Sequence, residues 1–508
     1  MLGSSFLPAF LANQPQRNNE ISLSSSSCEQ AVSDFDFSAI SKKITLQQCG
    51  HLSLEFGSAV HMGGNDPDFS VWDAKQQEVV PACRIEPTST SDVARALEII
   101  VDNWCRFAVK GGGHSTNIDA SNSVGGVTID LNRMDHVELA DDRSWANLGP
   151  GLVLGEAYTT LEQHELSNIA GRVADVGVPG YTLGGGISNL SPQYGLAVDN
   201  VYEYQVVLPN STIVNASETV NPDLYFALRG GGNNFGIVTN FRSRLVPQGK
   251  LLSGDKTFHA NYTAPLLDEV FDLTTTKSND TSMCFSTRYF WDSSESRFRM
   301  SVTQAYYEPI LEPAVFDSLN QLPFESSTVR VDWMSNFAME NVGSRVLRRL
   351  YATVTFRPSR ELYEQVQDIF AEEAEAVKDT PGFTSSIVLQ ALHINAIKAM
   401  EVRGGNALGI ESDEPLNIAL FTLGWRDRED DEAMNAYADR WLARSKQRAS
   451  EMNLLHPWLY INYAKHDQDP FSGYGETNKL RLQRIQKAVD PRGIMTSQGL
   501  CRGSFKLN

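Results

Sequence analysis

The sequence predicts an α+β protein built from two kinds of architecture in succession. Three observations carry that prediction. Up to about residue 250, short apolar strands run into glycine-rich loops with helices beside them. From Pro247 to about Leu455, longer strands such as Ser301–Tyr307 and Tyr351–Phe356 alternate with amphipathic helices. After that the chain returns to short segments with glycines. At 508 residues it is too long for one ordinary core and implies two or three folding units.

A lead-in over residues 1–74, polar through its first 50 residues, precedes the first strand-like segment, Glu78–Pro81. Ser89 to Asp92 has the spacing of a capping box, and Val93, Leu97, Ile100 and Trp104 follow at helical intervals. That helix leads into the strand Arg106–Val109, making a strand–helix–strand unit. Further strands are expected at Val127–Leu131 and Trp145–Leu148. The glycines of Gly149–Gly155 look like a dinucleotide fingerprint, but the spacing is one residue too long and Pro150 removes a backbone donor. Gly171–Gly186 reads as a long loop, and Val201–Leu208 as a strand. Asp223–Val238 reads as helix, third glycine loop and strand. Helices are expected over Glu361–Val377 and Ala433–Met452. Their stripes, Leu362, Val366, Ile369, Phe370 and Met434, Tyr437, Trp441, are core positions. The run Arg426–Glu432 is a solvated loop. In the tail, Tyr460–Tyr463 reads as a strand, Gly473–Gly475 as a loop and Asn478–Val489 as a helix stopped by Asp490-Pro491. There is no internal repeat.

Composition narrows the partners. A net charge of −19 excludes a nucleic-acid partner, because no basic field replaces the counterions on phosphates, and it slightly favours a neutral or cationic small molecule. No apolar run reaches the length that spans a bilayer, and no metal-ligand set is expected. The apolar patch Phe6–Ala12 lacks a basic lead-in, so it is a poor signal peptide, and the five sequons, at Asn189, Asn210, Asn215, Asn261 and Asn279, are close to chance. A secreted or endomembrane-lumen location stays open. Six cysteines do not make a disulfide scaffold; Cys28–Cys49 is a plausible pair, and Cys83–Cys105 a less favoured one.

The most informative stretch is Val109–Ser115. Gly111, Gly112 and Gly113 remove every Cβ from a turn, so backbone N–H groups can converge on an anion, and His114 and Ser115 follow directly. Gly177, Gly180, Gly184, Gly185 and Gly186 offer a second set of backbone donors, and two such clusters in one unit point to a large planar or anionic ligand.

Together, Val109–Ser115, Gly171–Gly186, Arg229–Val238 and Tyr460–Tyr463 give the chain its resemblance to the berberine bridge enzyme-like FAD-linked oxidases, within the vanillyl-alcohol-oxidase, or PCMH-type, flavoprotein superfamily, in particular the fungal members that serve secondary metabolism. The match is strong over residues 75–250 and 455–500 and only in outline between them, where Gly404–Gly409 is the best marker. The resemblance implies a two-part FAD-binding domain over 75–250, a substrate domain over 251–454 with an antiparallel sheet covered by helices, and a C-terminal segment, 455–508, that returns to the flavin. It implies a covalent bond from His114 to the flavin. It places Gly111–Gly113, Ser115, Val176, Gly177, Gly180, Gly184–Gly186, Asp199, Ile237 and Asn462 at the cofactor. Where many relatives carry a cysteine for a second bond this chain has Val173, so a single link is expected. Tyr181 departs from a histidine common in the family, and Val176 matches a position associated with oxygen access.

The chemistry follows from the cofactor. A base beside the flavin must take a proton from an O–H or N–H next to the carbon that gives up hydride. By family position the catalytic candidates are Tyr463, the favoured base, and Tyr460 in support. On a regular strand the two would face opposite sides unless a bulge intervened. A phenol with the usual pKa near 10 needs a neighbouring cation to serve at neutral pH, and Lys465 and His466 are the nearest in sequence. The leading expectation is an oxidase that oxidises a small alcohol, amine or activated C–H of a secondary metabolite and reduces O2 to H2O2. The alternatives are a carbohydrate oxidase, or a flavoprotein whose FAD is structural or templates a cyclisation.

Overall fold

The structure, a computed structural model, describes residues 37–507 apart from 64, 65, 67, 260 and 261. Residues 37–43, the described part of a separate first unit, start the helix Phe37–Phe56, and residues 44–508 form one compact unit. Cys28 and Asn261 lie outside the described residues. The chain is α+β as predicted.

A four-stranded sheet comes first, in the order Val60–Met62, Cys83–Ile85, Val127–Asp130, Phe107–Lys110. The last three strands are parallel, with Val127 between Cys83 and Phe107 in register. Parallel neighbours need a crossover, and the capped helix supplies it: Thr90–Asp102 starts at Ser89, whose Oγ accepts from the Asp92 N–H at 3.1 Å. Its apolar face, with Val93, Leu97 and Ile100, is fully buried against the sheet. Trp104 does not continue that stripe. The helix ends at Asp102, and Trp104 has φ +53° and is 56% exposed.

The strand expected at Glu78–Pro81 is also displaced. The Asp73 carboxylate caps a short helix, Ala74–Gln77, by accepting from the Lys75 and Gln76 N–H groups, and the strand that follows begins only at Cys83. Cys83 is disulfide-bonded to Cys49, which replaces both pairings considered from the sequence. Sequence distance was the wrong guide: Cys49 lies on a helix that packs against the first residue of a strand 34 positions later. By loop entropy a closure of that length is worth about 4 kcal/mol. Cys49→Ser with Cys83→Ser therefore lowers the thermal midpoint measurably, as read by calorimetry against the oxidised parent.

The second sheet is antiparallel, in the order Val137–Leu139, Trp145–Leu148, Ile237–Arg244, Val201–Val207, Ile213–Ser217. Helices Leu154–Glu162 and Pro222–Leu228 share its core. The near-fingerprint glycines serve packing here: a Cβ on Gly149 would sit 2.0 Å from the Met134 carbonyl oxygen, and one on Gly151 2.1 Å from that of Leu131. Asn189 is 5% exposed, so its sequon is closed in the folded chain.

The third sheet, nine-stranded, is antiparallel throughout. Its order is Phe324–Ser327, Leu251–Phe258, Arg297–Tyr306, Met283–Asp292, Thr384–Leu392, Leu416–Trp425, Arg348–Phe356, Leu455–His456, with Arg330–Asp332 also on Leu251–Phe258. Helices Arg360–Ala374 and Asp431–Glu451 cover it with the stripes read from the sequence: Leu362, Val366 and Phe370 on one and Met434, Tyr437 and Trp441 on the other are fully buried. Among the described residues no helix is long and apolar enough to cross a membrane.

Candidate functional site

The glycine loop leaves the carboxyl end of the parallel strand Phe107–Lys110, where open α/β sheets bind ligands. Gly113 takes φ +72°, which strains any residue with a Cβ. Gly112 meets Gly177 backbone to backbone: a Cβ on Gly112 would lie 2.4 Å from the Gly177 nitrogen, and one on Gly177 2.2 Å from the Gly112 nitrogen. The two glycine clusters are thus adjoining walls. The second is not a plain loop, because Val178–Leu183 forms a short helix with Pro179 in its first turn, a position where a missing N–H costs nothing. Gly180 faces open space, and Gly184 lies against Asn462.

His114 points into this junction and is 12% exposed. Its ring stacks on Trp72 at 3.8 Å and 16°, and Arg349 packs on the same indole at 4.3 Å. Its Nε2 makes no hydrogen bond, the nearest acid being Asp175 Oδ1 at 3.4 Å. Burial pushes the Asp175 carboxyl up, but His114 and Arg345 outweigh it and hold the group below the usual carboxylate range. Ser115 Oγ accepts from the Asn117 N–H at 3.1 Å.

Tyr460–Tyr463 is not a strand. Ile461–Tyr463 is a turn of 3-10 helix, in which residues three apart share a face. The two tyrosine rings therefore meet edge to face, 4.6 Å between centroids. Their hydroxyls do different things. That of Tyr460 accepts from the Gly186 and Ile187 N–H groups at 3.2 and 3.1 Å and from Asn462 Nδ2 at 3.0 Å, and burial raises its pKa strongly. It clamps the second glycine wall. The Asn462 amide also donates to the Tyr181 carbonyl at 3.0 Å.

The Tyr463 oxygen instead receives Gln390 Nε2 at 3.0 Å and Arg172 Nη2 at 3.3 Å, its own O–H donates to Gln390 Oε1 at 3.3 Å, and Arg172 Nη2 also donates to Gln390 Oε1 at 2.7 Å. Two donors, one of them cationic, suit an oxygen that carries negative charge. Burial works against the Arg172 charge, but the surrounding phenols and the Cys284 thiol raise its pKa overall. The cation is therefore Arg172, in the second glycine wall, and neither of the residues adjacent in sequence. Lys465 Nζ is held by Asp439 and Asp467 at 2.8 and 2.6 Å, and His466 is exposed. Neither Arg172 nor Gln390, 218 positions apart, carried a sequence signal toward Tyr463.

Two of the residues placed at the cofactor by resemblance have side chains engaged elsewhere. Asp199 is fully buried; its Oδ1 takes Arg229 Nη2 at 3.1 Å and Asn406 Nδ2 at 2.9 Å, and its Oδ2 takes the Leu196 N–H at 2.9 Å. That carboxylate is an internal strut, with three of its roughly four lone-pair sites taken by the protein itself. Ile237 opens a strand and packs in the core of the four-stranded sheet. Val176 is half-buried beside Gly177, its carbonyl accepting from the Leu154 N–H at 2.9 Å. At Tyr181 the hydroxyl is buried without a hydrogen-bond partner.

Residues 81–217 match the FAD binding domain family FAD_binding_4. The chain is 34% identical over 485 residues to the FAD-dependent monooxygenase tpcD of Cochliobolus heterostrophus, covering 90% of this chain and 93% of that one. Among solved structures it is similar to 6-hydroxy-D-nicotine oxidase from Arthrobacter nicotinovorans, with a TM-score of 0.74 at 20% identity over 88% of this chain and 97% of that one. It is similar as well to the glucooligosaccharide oxidase of Acremonium strictum, which carries a 6-S-cysteinyl, 8α-N1-histidyl FAD, with a TM-score of 0.72 at 20% identity over 91% and 98%.

Proposed function

We propose, for a chain that belongs to the berberine bridge enzyme-like family of FAD-linked oxidoreductases, that it is an oxidase of a small secondary metabolite, with FAD held covalently by His114 and Tyr463 as the base. Residues 75–250 and 455–508 would hold the cofactor, and residues 251–454 the substrate. The pocket residues fit FAD: two glycine walls meet where no Cβ is tolerated, and the buried Tyr181 hydroxyl lacks a hydrogen-bond partner.

FAD held there would supply a hydride acceptor that dioxygen could reoxidise. The observation that carries the reading is the hydrogen-bonded triad Arg172–Gln390–Tyr463. Tyr463 takes the proton from the substrate O–H or N–H; Gln390 fixes the direction of the phenol oxygen, and Arg172 supplies the opposite charge. Tyr460 and Asn462 hold the 184–187 backbone against that centre.

Val173, without a thiol, supports a single link where the glucooligosaccharide oxidase has two. Asp175 is the positioning residue for the link, because a carboxylate at one imidazole nitrogen sets which nitrogen is free to attack. Asp175→Asn slows covalent attachment at least roughly ten-fold, read as flavin fluorescence of the denatured band after timed incubation with FAD.

The test of the whole reading is aerobic turnover of a panel of alcohols, amines and sugars, with oxygen uptake and H2O2 measured together. One H2O2 per O2 with a metabolite substrate is the expected result. Activity with sugars alone makes it a carbohydrate oxidase. One atom of labelled dioxygen in the product makes it a monooxygenase, the reaction in the name of the Cochliobolus relative. A flavin that no compound reduces in the absence of air makes the cofactor structural.

A further inference from the structure

The pocket beside Tyr463 contains a charge that the chain itself does not balance. Arg172, Cys284, Gln390 and His393 line it, with apolar walls from Ile187 and Phe285. Arg172 uses Nη2 for both of its side-chain hydrogen bonds; among the described residues Nε and Nη1 make none, and no carboxylate lies within ion-pair distance of the guanidinium. Arg84, Arg229 and Arg348, the arginines with almost no exposure, each have an acid, in Asp130, Asp199 and Asp431, whereas the half-buried Arg172 faces this pocket without one. Its unpartnered N–H groups are therefore available to an oxygen that enters the pocket, and a charge-assisted hydrogen bond to a guanidinium favours an ionised one.

A second group in the same pocket points the same way. His393 is 1% exposed, and neither ring nitrogen makes a hydrogen bond of good geometry. Burial lowers its pKa to about 4, so at neutral pH it is an uncharged ring with one donor and one acceptor to offer. Pocket walls that hold three unused kinds of N–H, two on a cation and one on a neutral imidazole, match a ligand that brings an ionised oxygen.

We propose that Arg172 and His393 form an oxyanion subsite, and that the substrate is an acidic compound, an enol, phenol or carboxylic acid, bound with its ionised oxygen on the free edge of the Arg172 guanidinium. The proposal rests on the reading of this pocket as the substrate side of the flavin. The net charge of −19 is no obstacle: charges beyond a Debye length are screened, and the fork's immediate neighbours set its local field. Arg172 then has two tasks, holding the substrate anion with its free N–H groups and facing the Tyr463 oxygen with Nη2.

The probe is benzoate, with benzamide as the uncharged partner of the same shape, added to the full-length flavin-loaded protein. Binding is read by calorimetry and by the visible flavin difference spectrum. Benzoate binds saturably and benzamide about ten-fold more weakly or worse. Arg172→Gln weakens benzoate about ten-fold and leaves benzamide unchanged, and Arg172→Lys, which keeps the charge and loses the fork, falls between the two. His393→Phe, which keeps a planar ring, weakens benzoate by a smaller factor. Equal affinity for the two probes, no benzoate binding, or undiminished benzoate binding by a folded Arg172→Gln protein overturns the subsite. Protein that takes up no flavin overturns the oxidase reading instead, and calorimetry with benzoate still decides the subsite on its own.

Discussion

Tyr463→Phe lowers kcat by about 10²–10⁴-fold, the range for loss of a general base, while the flavin stays bound and KM changes little. Phenylalanine keeps the ring that packs edge to face on Tyr460 at 4.6 Å, so the 3-10 turn and the glycine wall behind it survive. What disappears is the one oxygen on which Gln390 and Arg172 converge. The measurement is anaerobic flavin reduction in a stopped-flow instrument, which separates the reductive step from reoxidation. A reduction rate within a few-fold of the parent would falsify the assignment of Tyr463 as base. The same experiment on Tyr460→Phe gives a different pattern. That hydroxyl binds two backbone N–H groups, so its loss reduces stability and flavin retention before it touches the rate.

His114→Ala removes the covalent bond altogether, since Val173 offers no second attachment. After acid precipitation the parent pellet remains yellow, and the variant pellet is white with all flavin in the supernatant. Trp72 loses its stacking partner at 3.8 Å, so some of the non-covalent affinity goes as well. A yellow pellet from the variant overturns the assignment and directs attention to another nucleophile. Partial retention in Asp175→Asn with none in His114→Ala is the ordered pair expected when one residue makes the bond and the other positions it.

Much of the site was legible because glycine and proline act through local backbone rules. Three glycines after an apolar strand announce a loop without Cβ atoms whatever they pack against, and Gly112 and Gly177 do meet where no Cβ fits. Spacing also argued against a dinucleotide fingerprint at Gly149–Gly155, where Gly149 and Gly151 press on the 131–136 backbone and Gly155 on Ala174. The segment 460–463 was harder. Tyr-Ile-Asn-Tyr has strand propensity, and alternation would have parted the tyrosines; the tertiary site imposes a 3-10 turn that brings them together. At Asp199 nothing in the sequence signalled the side chain's partners: its carboxylate accepts from Arg229, Asn406 and the Leu196 N–H, up to 207 positions away.

From sequence alone came the fold class, the capped crossover helix and the two buried helix stripes. Each depends on residues close together in the chain, where period, capping and missing side-chain atoms act over a few positions. Only the tertiary structure decided which cation faces Tyr463, where Cys49 finds its disulfide partner, and that Arg172 faces a pocket without an acid beside it. Those are encounters between residues tens to hundreds of positions apart, such as Arg172 with Gln390 and Tyr463. Coulomb forces and hydrogen bonds depend on distance in space, and the packing of the sheets and helices sets that distance independently of sequence order.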